Sequence, residues 1–134
     1  MNATIRLAEI AHARSGDKGN HANVGVIAYT PEGFRYLGQV LTETRVADYF
    51  LPLRPTEVRR YELPGVRAYN FLLFNVLGGG ASRSLRTDSQ GKTLALTLLE
   101  MPIPAPPQAD LARMRRQRPN SDKPGSISDE ATSR

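Results

Sequence analysis

Apolar and polar residues alternate along several short stretches of the chain, which is the pattern of β-strands half buried in a sheet. The stretch ATIRLAEIAHA, residues 3–13, alternates in this way and predicts one strand. NVGVIAYT, residues 23–30, is apolar almost throughout and predicts a second, central strand. VRRYEL, residues 58–63, predicts a third strand that ends at the turn signal Pro64-Gly65. A polar loop is expected to connect the first two strands.

Two other stretches carry the signals of helix starts and ends. Thr30 is a suitable N-cap, and Pro31 and Glu32 supply the proline and the anion that favour a first helical turn. This helix has one apolar face, made of Phe34, Leu37 and Leu41. A second helix is predicted over TRVADYF, residues 44–50, and is closed by Pro52.

The second half of the chain contains two apolar runs. AYNFLLFNVL, residues 68–77, is apolar nearly all round and predicts a buried helix that stops at the glycines that follow. SRSLRTD, residues 82–88, predicts a short strand. KTLALTLLEM, residues 92–101, fits the period of a strand and, behind an Asp88 cap, that of a helix. We predict a helix there.

This order of elements predicts an α+β fold, a sandwich in which helices cover one face of a largely antiparallel sheet. A doubly wound nucleotide-binding fold is less favoured on two grounds. The chain is short for one, and no G-x-G-x-x-G pattern opens a helix after the first strand.

The end of the chain differs in composition from the rest. Six of the ten prolines follow Met101, and large apolar residues become rare. The sequence therefore predicts a domain over residues 1–103 and a Pro- and Arg-rich, disordered tail over residues 104–134. RMRRQR, residues 113–118, is a local basic cluster, read either as a solvated tail or as an electrostatic docking segment. Nucleic acid is not an expected partner, because the tail has no aromatic residue to stack on bases.

Composition removes several classes of chemistry. The 134 residues include no cysteine and only two histidines, so disulfides, thiolate nucleophiles and cysteine-ligated metals are excluded, and no metal site is predicted. No stretch has the length of a signal peptide or a membrane span, which predicts a cytoplasmic protein. The net charge of +5 suits anionic ligands, since arginine binds phosphates and carboxylates through two hydrogen bonds.

RSGDKGN, residues 14–20, is the first stretch that could carry chemistry. Its two glycines could bend the backbone so that successive N–H groups converge on an anion. Asp17 could act as a general acid or base, and Asn20 and Asn23 could orient a carbonyl group. The alternative is a hairpin turn whose charges pair in solvent. His21 follows, as a proton carrier or as a surface histidine.

LGGGASRSLR, residues 77–86, is the second such stretch. Three glycines permit the close approach of a ligand, and Ser82, Arg83 and Arg86 could engage anions. The alternative is a helix C-cap followed by a flexible link. Asn70 lies in an apolar run and, if buried, must find hydrogen-bond partners, so it could brace one of the two stretches.

Three pieces of the chain, taken in order, resemble the C-terminal ferredoxin-fold domain of the AtuA family, named for acyclic terpene utilisation. They are ARSGDKGNHANVGVIA, RYELPGVRAYNFLL and LGGGASRSLRTDSQGKTL, and together they span roughly residues 5–103. The resemblance implies a ferredoxin-like fold and a role in the breakdown of branched or isoprenoid acids, as coenzyme A thioesters or hydroxy acids. In the family a much larger domain usually precedes this one. A large AtuA-like subunit is therefore the implied partner, with a homo-oligomer as the other arrangement.

The resemblance also implies a set of functional positions. Asp17 and Lys18 would handle protons, and a small anionic substrate would be held by Arg14, Ser15, Gly16, Gly19, Asn20, Asn23, Asn70, Gly78, Gly79, Gly80, Ser82 and Arg86. The leading hypothesis is a small subunit that completes a lyase or hydratase site. The alternative is a non-catalytic module in which the same residues form the interface with the larger partner. No cofactor is implied.

Overall fold

A computed structural model describes residues 3–76 and 94–116 of the chain. Its main sheet has four antiparallel strands in the order β2-β3-β5-β4, where β2 is Ala11–Lys18, β3 His21–Ala28, β4 Glu57–Leu63 and β5 Ala68–Phe74. A second, two-stranded sheet pairs β1, Thr4–Arg6, with β6, Pro102–Pro104. A 3-10 turn at Leu7–Glu9 separates β1 from β2, so the single strand predicted over residues 3–13 is wrong.

The polar stretch between the first two long strands is itself mostly a strand. β2 continues to Lys18, which pairs with His21 and leaves only Gly19 and Asn20 in the turn. Gly19 has a φ of +61°, the conformation that two-residue hairpin turns require and that glycine adopts without steric cost. The prediction of a polar loop is therefore wrong. The alternation of β3, in which every second residue is buried, sets a register that extends β2 into the polar stretch.

The helix that follows β3 forms as the sequence predicts. α1 is Pro31–Val40, and the Thr30 hydroxyl accepts a hydrogen bond from the Gly33 N–H at 3.0 Å. Leu37 and Leu41 are fully buried on its apolar face. α2, Glu43–Tyr49, is capped in the same way by Thr42, and a 3-10 turn with Pro52 follows it.

β5 replaces the helix predicted over residues 68–77. It lies between β3 and β4, with Tyr69, Phe71 and Leu73 buried on one side and Asn70, Leu72 and Phe74 half-buried on the other. A central strand with apolar residues on both faces lacks the alternation of a half-buried strand, and periodicity cannot distinguish such a run from a buried helix. The prediction is wrong for that reason.

The helices of the described residues confirm the predicted fold class. α3, Leu94–Leu99, packs on β2, while α1 lies on β3 and α2 on β4, so all three cover one face of the main sheet. The core lies between the two layers and contains Val24, Val26, Leu37, Phe71, Leu73 and Leu98. None of these helices, nor α4 below, is long and apolar enough to cross a membrane.

The first part of the predicted tail is ordered and packed. β6 ends at Pro104, and α4, Gln108–Met114, lies against α1 with Leu111 and Met114 in the core. Arg113 reaches Glu32 of α1 at 2.8 Å. A disordered tail starting at residue 104 is therefore wrong as far as residue 116, because two apolar residues three apart are enough to anchor one short amphipathic helix. Residues 117–134 and the strand predicted over 82–88 lie outside the described residues.

Candidate functional site

The face of the main sheet opposite the helices, here called the open face, carries the polar positions of interest. Side chains alternate between the two faces of each strand, so the register decides which residues lie side by side. Arg14 pairs with Gly25, Gly25 with Asn70, and Asn70 with Tyr61. One row across all four strands therefore brings Arg14 close to Asn70, although 55 residues separate them in the sequence.

A groove of about 340 Å³ follows this row and its neighbours. It has a polar end and an apolar wall, and it is lined by Arg14, Ser15, Gly16, Asn23, Gly25, Ile27, Leu63, Val66, Ala68 and Asn70. Five of these ten, Arg14, Ser15, Gly16, Asn23 and Asn70, were predicted as substrate-binding positions. The apolar wall of Ile27, Leu63, Val66 and Ala68 was not predicted, because nothing in the sequence shows that the turn between β4 and β5 lies beside Ile27 of β3.

The polar end holds three side chains with hydrogen-bonding capacity to spare. Asn23 Nδ2 donates to Asn70 Oδ1 at 3.2 Å. Asn23 Oδ1 and Asn70 Nδ2 make no hydrogen bond within residues 3–76 and 94–116. The Arg14 guanidinium is exposed and likewise makes no ion pair or hydrogen bond in the described part of the chain. Arg14 and Asn70 Nδ2 can therefore donate N–H groups to an anion, and Asn23 Oδ1 can accept a hydrogen bond from a hydroxyl group.

Gly25 forms the floor between Arg14 and Asn70. A methyl group at this position would lie 3.7 Å from Asn70 Oδ1 and 3.9 Å from the Arg14 carbonyl oxygen, which are ordinary contacts. The fold would tolerate the added carbon, but the carbon would occupy the groove. At Gly16 the same group would come within 3.2 Å of Asn23 Oδ1 and would press on the carboxamide pair.

Two predicted site residues have their side chains on the helix side of β2, although Ser15 also contributes to the lining of the groove. The Ser15 hydroxyl accepts a hydrogen bond from the Ala95 N–H at 3.2 Å, so it caps α3 on the helix side of the sheet. Asp17 follows two residues later on the same side of β2, is exposed, and does not line the groove. Lys18 ends β2 opposite His21, and Gly19 and Asn20 form the turn. Gly78, Gly79, Gly80, Ser82 and Arg86 lie outside the described residues.

His21 is held in one orientation at the hairpin end of the open face. Its Nδ1 accepts a hydrogen bond from the Asn75 N–H at 3.0 Å, and its ring lies 5.0 Å from that of Phe74. Asn75 has a φ of 62° and is fixed by its own bond to Thr56 Oγ1 at 2.8 Å. The neutral imidazole therefore carries its proton on Nε2. The sequence offered no signal for this, since His21 and Asn75 are 54 residues apart.

The described residues of the groove are suited to binding an anion and include no group that transfers protons. Arg14 is the one ionisable side chain among the described residues that line it, and arginine keeps its proton at physiological pH. No three histidine, aspartate or glutamate side chains within the described ranges come together to hold a metal ion. The arrangement can grip an anionic group at Arg14 and lay an apolar chain against Ile27 and Leu63.

Comparison with known proteins assigns the chain to a family. The model of the AtuA ferredoxin-like domain matches residues 5–104, which includes every strand of the main sheet and the whole groove. No curated protein and no solved structure matches the chain. The matched residues end where β6 ends, so α4 lies beyond them. The chain belongs to the AtuA ferredoxin-like domain family.

Proposed function

We propose that this chain is the substrate-binding small subunit of an AtuA-like enzyme that acts on branched or isoprenoid acids. The substrate is an acyl-CoA or a hydroxy acid, and the reaction is of the lyase or hydratase type. The observation that carries the proposal is the groove itself, in which a guanidinium without an ion pair among the described residues and two carboxamides lie beside an apolar wall.

The two ends of the groove suit the two ends of such a substrate. A guanidinium binds a carboxylate through parallel hydrogen bonds, and the Asn23–Asn70 pair can hold a neighbouring oxygen. The wall of Ile27, Leu63 and Val66 favours a branched hydrocarbon, because apolar surface removed from water contributes about 25 cal/mol per Å². A small anion without an apolar portion would leave this wall unused.

The proposal assigns proton transfer to the larger partner, since no acid or base is among the described residues that line the groove. A direct role of Asp17 and Lys18 would require the substrate to reach the hairpin end of β2 instead of the groove. Asp17→Asn separates these arrangements in a complex reconstituted with a large AtuA-family protein. Loss of turnover with intact assembly supports a proton-handling Asp17, whereas weaker assembly that excess small subunit overcomes places Asp17 at the interface.

The direct test uses isovalerate, a branched five-carbon carboxylate, as the probe. Titration of the ¹⁵N-labelled chain should move the side-chain amide signals of Asn23 and Asn70 in a saturable way. Arg14→Gln should weaken this binding at least tenfold, because it removes the charge and the paired donors. Gly25→Ala should weaken it similarly while leaving the fold intact.

Arg35→Gln is the matched control, because Arg35 is an exposed arginine on α1, on the helix side of the sheet. Binding unchanged by both Arg14→Gln and Gly25→Ala would refute the groove as the site.

The second candidate function is a non-catalytic assembly module for a larger AtuA-like partner. It is favoured by the exposed apolar residues that continue from the wall of the groove onto the open face. In that case the chain should bind the large protein normally and show no saturable response to isovalerate.

A further inference from the structure

The wall of the groove continues into an apolar ridge, here called the β4 ridge, made of Tyr61, Leu63 and Val66. Their side chains are 43%, 46% and 61% exposed. Leu63 and Val66 line the groove, and Tyr61 is the next open-face residue along β4. Isolated exposed apolar residues are common on soluble proteins, but three together beside a ligand groove mark a surface that is covered in the functional assembly.

The groove itself needs a cover. Binding pockets for small molecules bury roughly 70–90% of the ligand, and a groove on the open face of a single sheet cannot do so. A surface resting on the β4 ridge would lie over the apolar wall and close the groove from that side. The site described above is thus one half of a site.

The cover cannot dock by extending the sheet at β4. The outward N–H of Arg60 already donates to Glu43 Oε2 at 2.8 Å, so a carboxylate occupies the middle of that strand's edge. The same Arg60 side chain turns back to the carbonyl oxygens of Gly38 and Leu41. The partner must therefore meet the ridge through side chains on the open face.

Charge identifies the kind of surface that fits. Arg67 follows Val66 in the chain, is exposed, and makes no ion pair within the described ranges, so its charge stays uncompensated when Arg14 holds the substrate. The chain as a whole carries a net charge of +5. A second copy would bring two such positively charged surfaces together, whereas an apolar patch bordered by carboxylates would neutralise Arg67.

Resting on the function proposed above, we infer that the β4 ridge is the docking surface for an apolar, acid-bordered patch of the large AtuA-like subunit. Docking there closes the groove over the substrate. The large subunit thereby completes the wall that Leu63 and Val66 begin.

The experiment measures binding of the full-length chain to a purified large AtuA-family protein by calorimetry at two salt concentrations. Leu63→Gln and Val66→Gln should each weaken binding at least tenfold, because central apolar residues dominate interface affinity. Leu96→Gln is the matched control, since Leu96 is 64% exposed on the helix side. Wild-type binding should weaken at higher salt, and Arg67→Gln should reduce that dependence.

The outcomes separate this inference from the function on which it rests. Equal affinity of Leu63→Gln, Val66→Gln and Leu96→Gln would overturn the ridge and leave the binding subunit standing. No binding by the wild-type chain, together with a monomer in analytical ultracentrifugation, would overturn both. A wild-type dimer that Leu63→Gln dissociates would show that a second copy covers the ridge and would refute the inference.

Discussion

Replacing Gly38 with alanine should destabilise the protein, although the same change in an ordinary helix stabilises it. Gly38 lies in α1, where alanine is normally favoured by about 1 kcal/mol. Here the new methyl group would lie 2.5 Å from Tyr69 Oη. Tyr69 is 1% exposed and donates to the Phe34 carbonyl oxygen at 2.8 Å, so it has no room to move. Overpacking of this kind costs roughly 1–3 kcal/mol, and loss of the hydrogen bond about 1 kcal/mol more.

The net expectation is a loss of about 2 kcal/mol in the free energy of unfolding, measured by urea denaturation followed by circular dichroism. Tyr69→Phe removes the hydroxyl and leaves ring carbon Cζ as the nearest atom, at 3.5 Å. In that background Gly38→Ala should become neutral or stabilising, so a double-mutant cycle should give a coupling energy of about 2 kcal/mol or more. An equal effect of Gly38→Ala in both backgrounds would refute the steric argument.

Three further predictions concern α4, His21 and the buried tyrosines. Leu111→Ala should lower the free energy of unfolding by about 2 kcal/mol or more, because Leu111 is buried. Leu96→Ala, at an exposed position, should lower it by much less. Equal losses in the two variants would contradict the packing of α4. Imidazole ¹⁵N shifts should show a single Nε2–H tautomer for His21, with His12 as the internal control, and a mixture at His21 would exclude the Asn75 bond. Burial raises the pKa of Tyr69 above its ordinary 10.0, more than the nearby Arg60 lowers it. The stability this tyrosine contributes is therefore complete below pH 10 and is lost as the pH rises through its folded value, so Tyr69→Phe should flatten the decline in stability measured between pH 9 and 12.

Local signals in the sequence were sufficient for the helix that starts at Thr30 and for the strand at residues 57–63. The helix has a deciding contact within its first turn, the bond from the Gly33 N–H to the Thr30 hydroxyl, and the strand has apolar and polar residues in alternation and a turn signal at its end. β5 could not be recognised, because it carries apolar residues on both faces and so lacks the alternation of a half-buried strand. α4 was missed because it buries only two residues, Leu111 and Met114, which is too few for a clear helical pattern. These two residues are buried because α4 packs on α1, a contact that the sequence does not show.

The candidate site was only partly predictable, because its composition depends on which strands pair and in which register. Arg14, Asn23 and Asn70 were selected through the resemblance to the AtuA family, and the groove contains all three. Ser15 and Asp17 were selected with them, but alternation along β2 turns these two to the helix side. That difference depends on the register of a hairpin, which a pattern of residue types does not specify.

The two-residue turn at Gly19 and Asn20 sets the register of β2 and so determines which side chains of β2 lie on the open face. Because each residue of β2 faces one side of the sheet, a shift of β2 by one position against β3 would exchange the two faces. Arg14 and Gly16 would then turn toward the helices, and Asp17 would face the open side with Ser15. A site that attracts anions would become one that repels them, without any substitution in β2. A change of length in this turn is therefore a route to a different ligand charge that leaves the sequence of the strands unchanged.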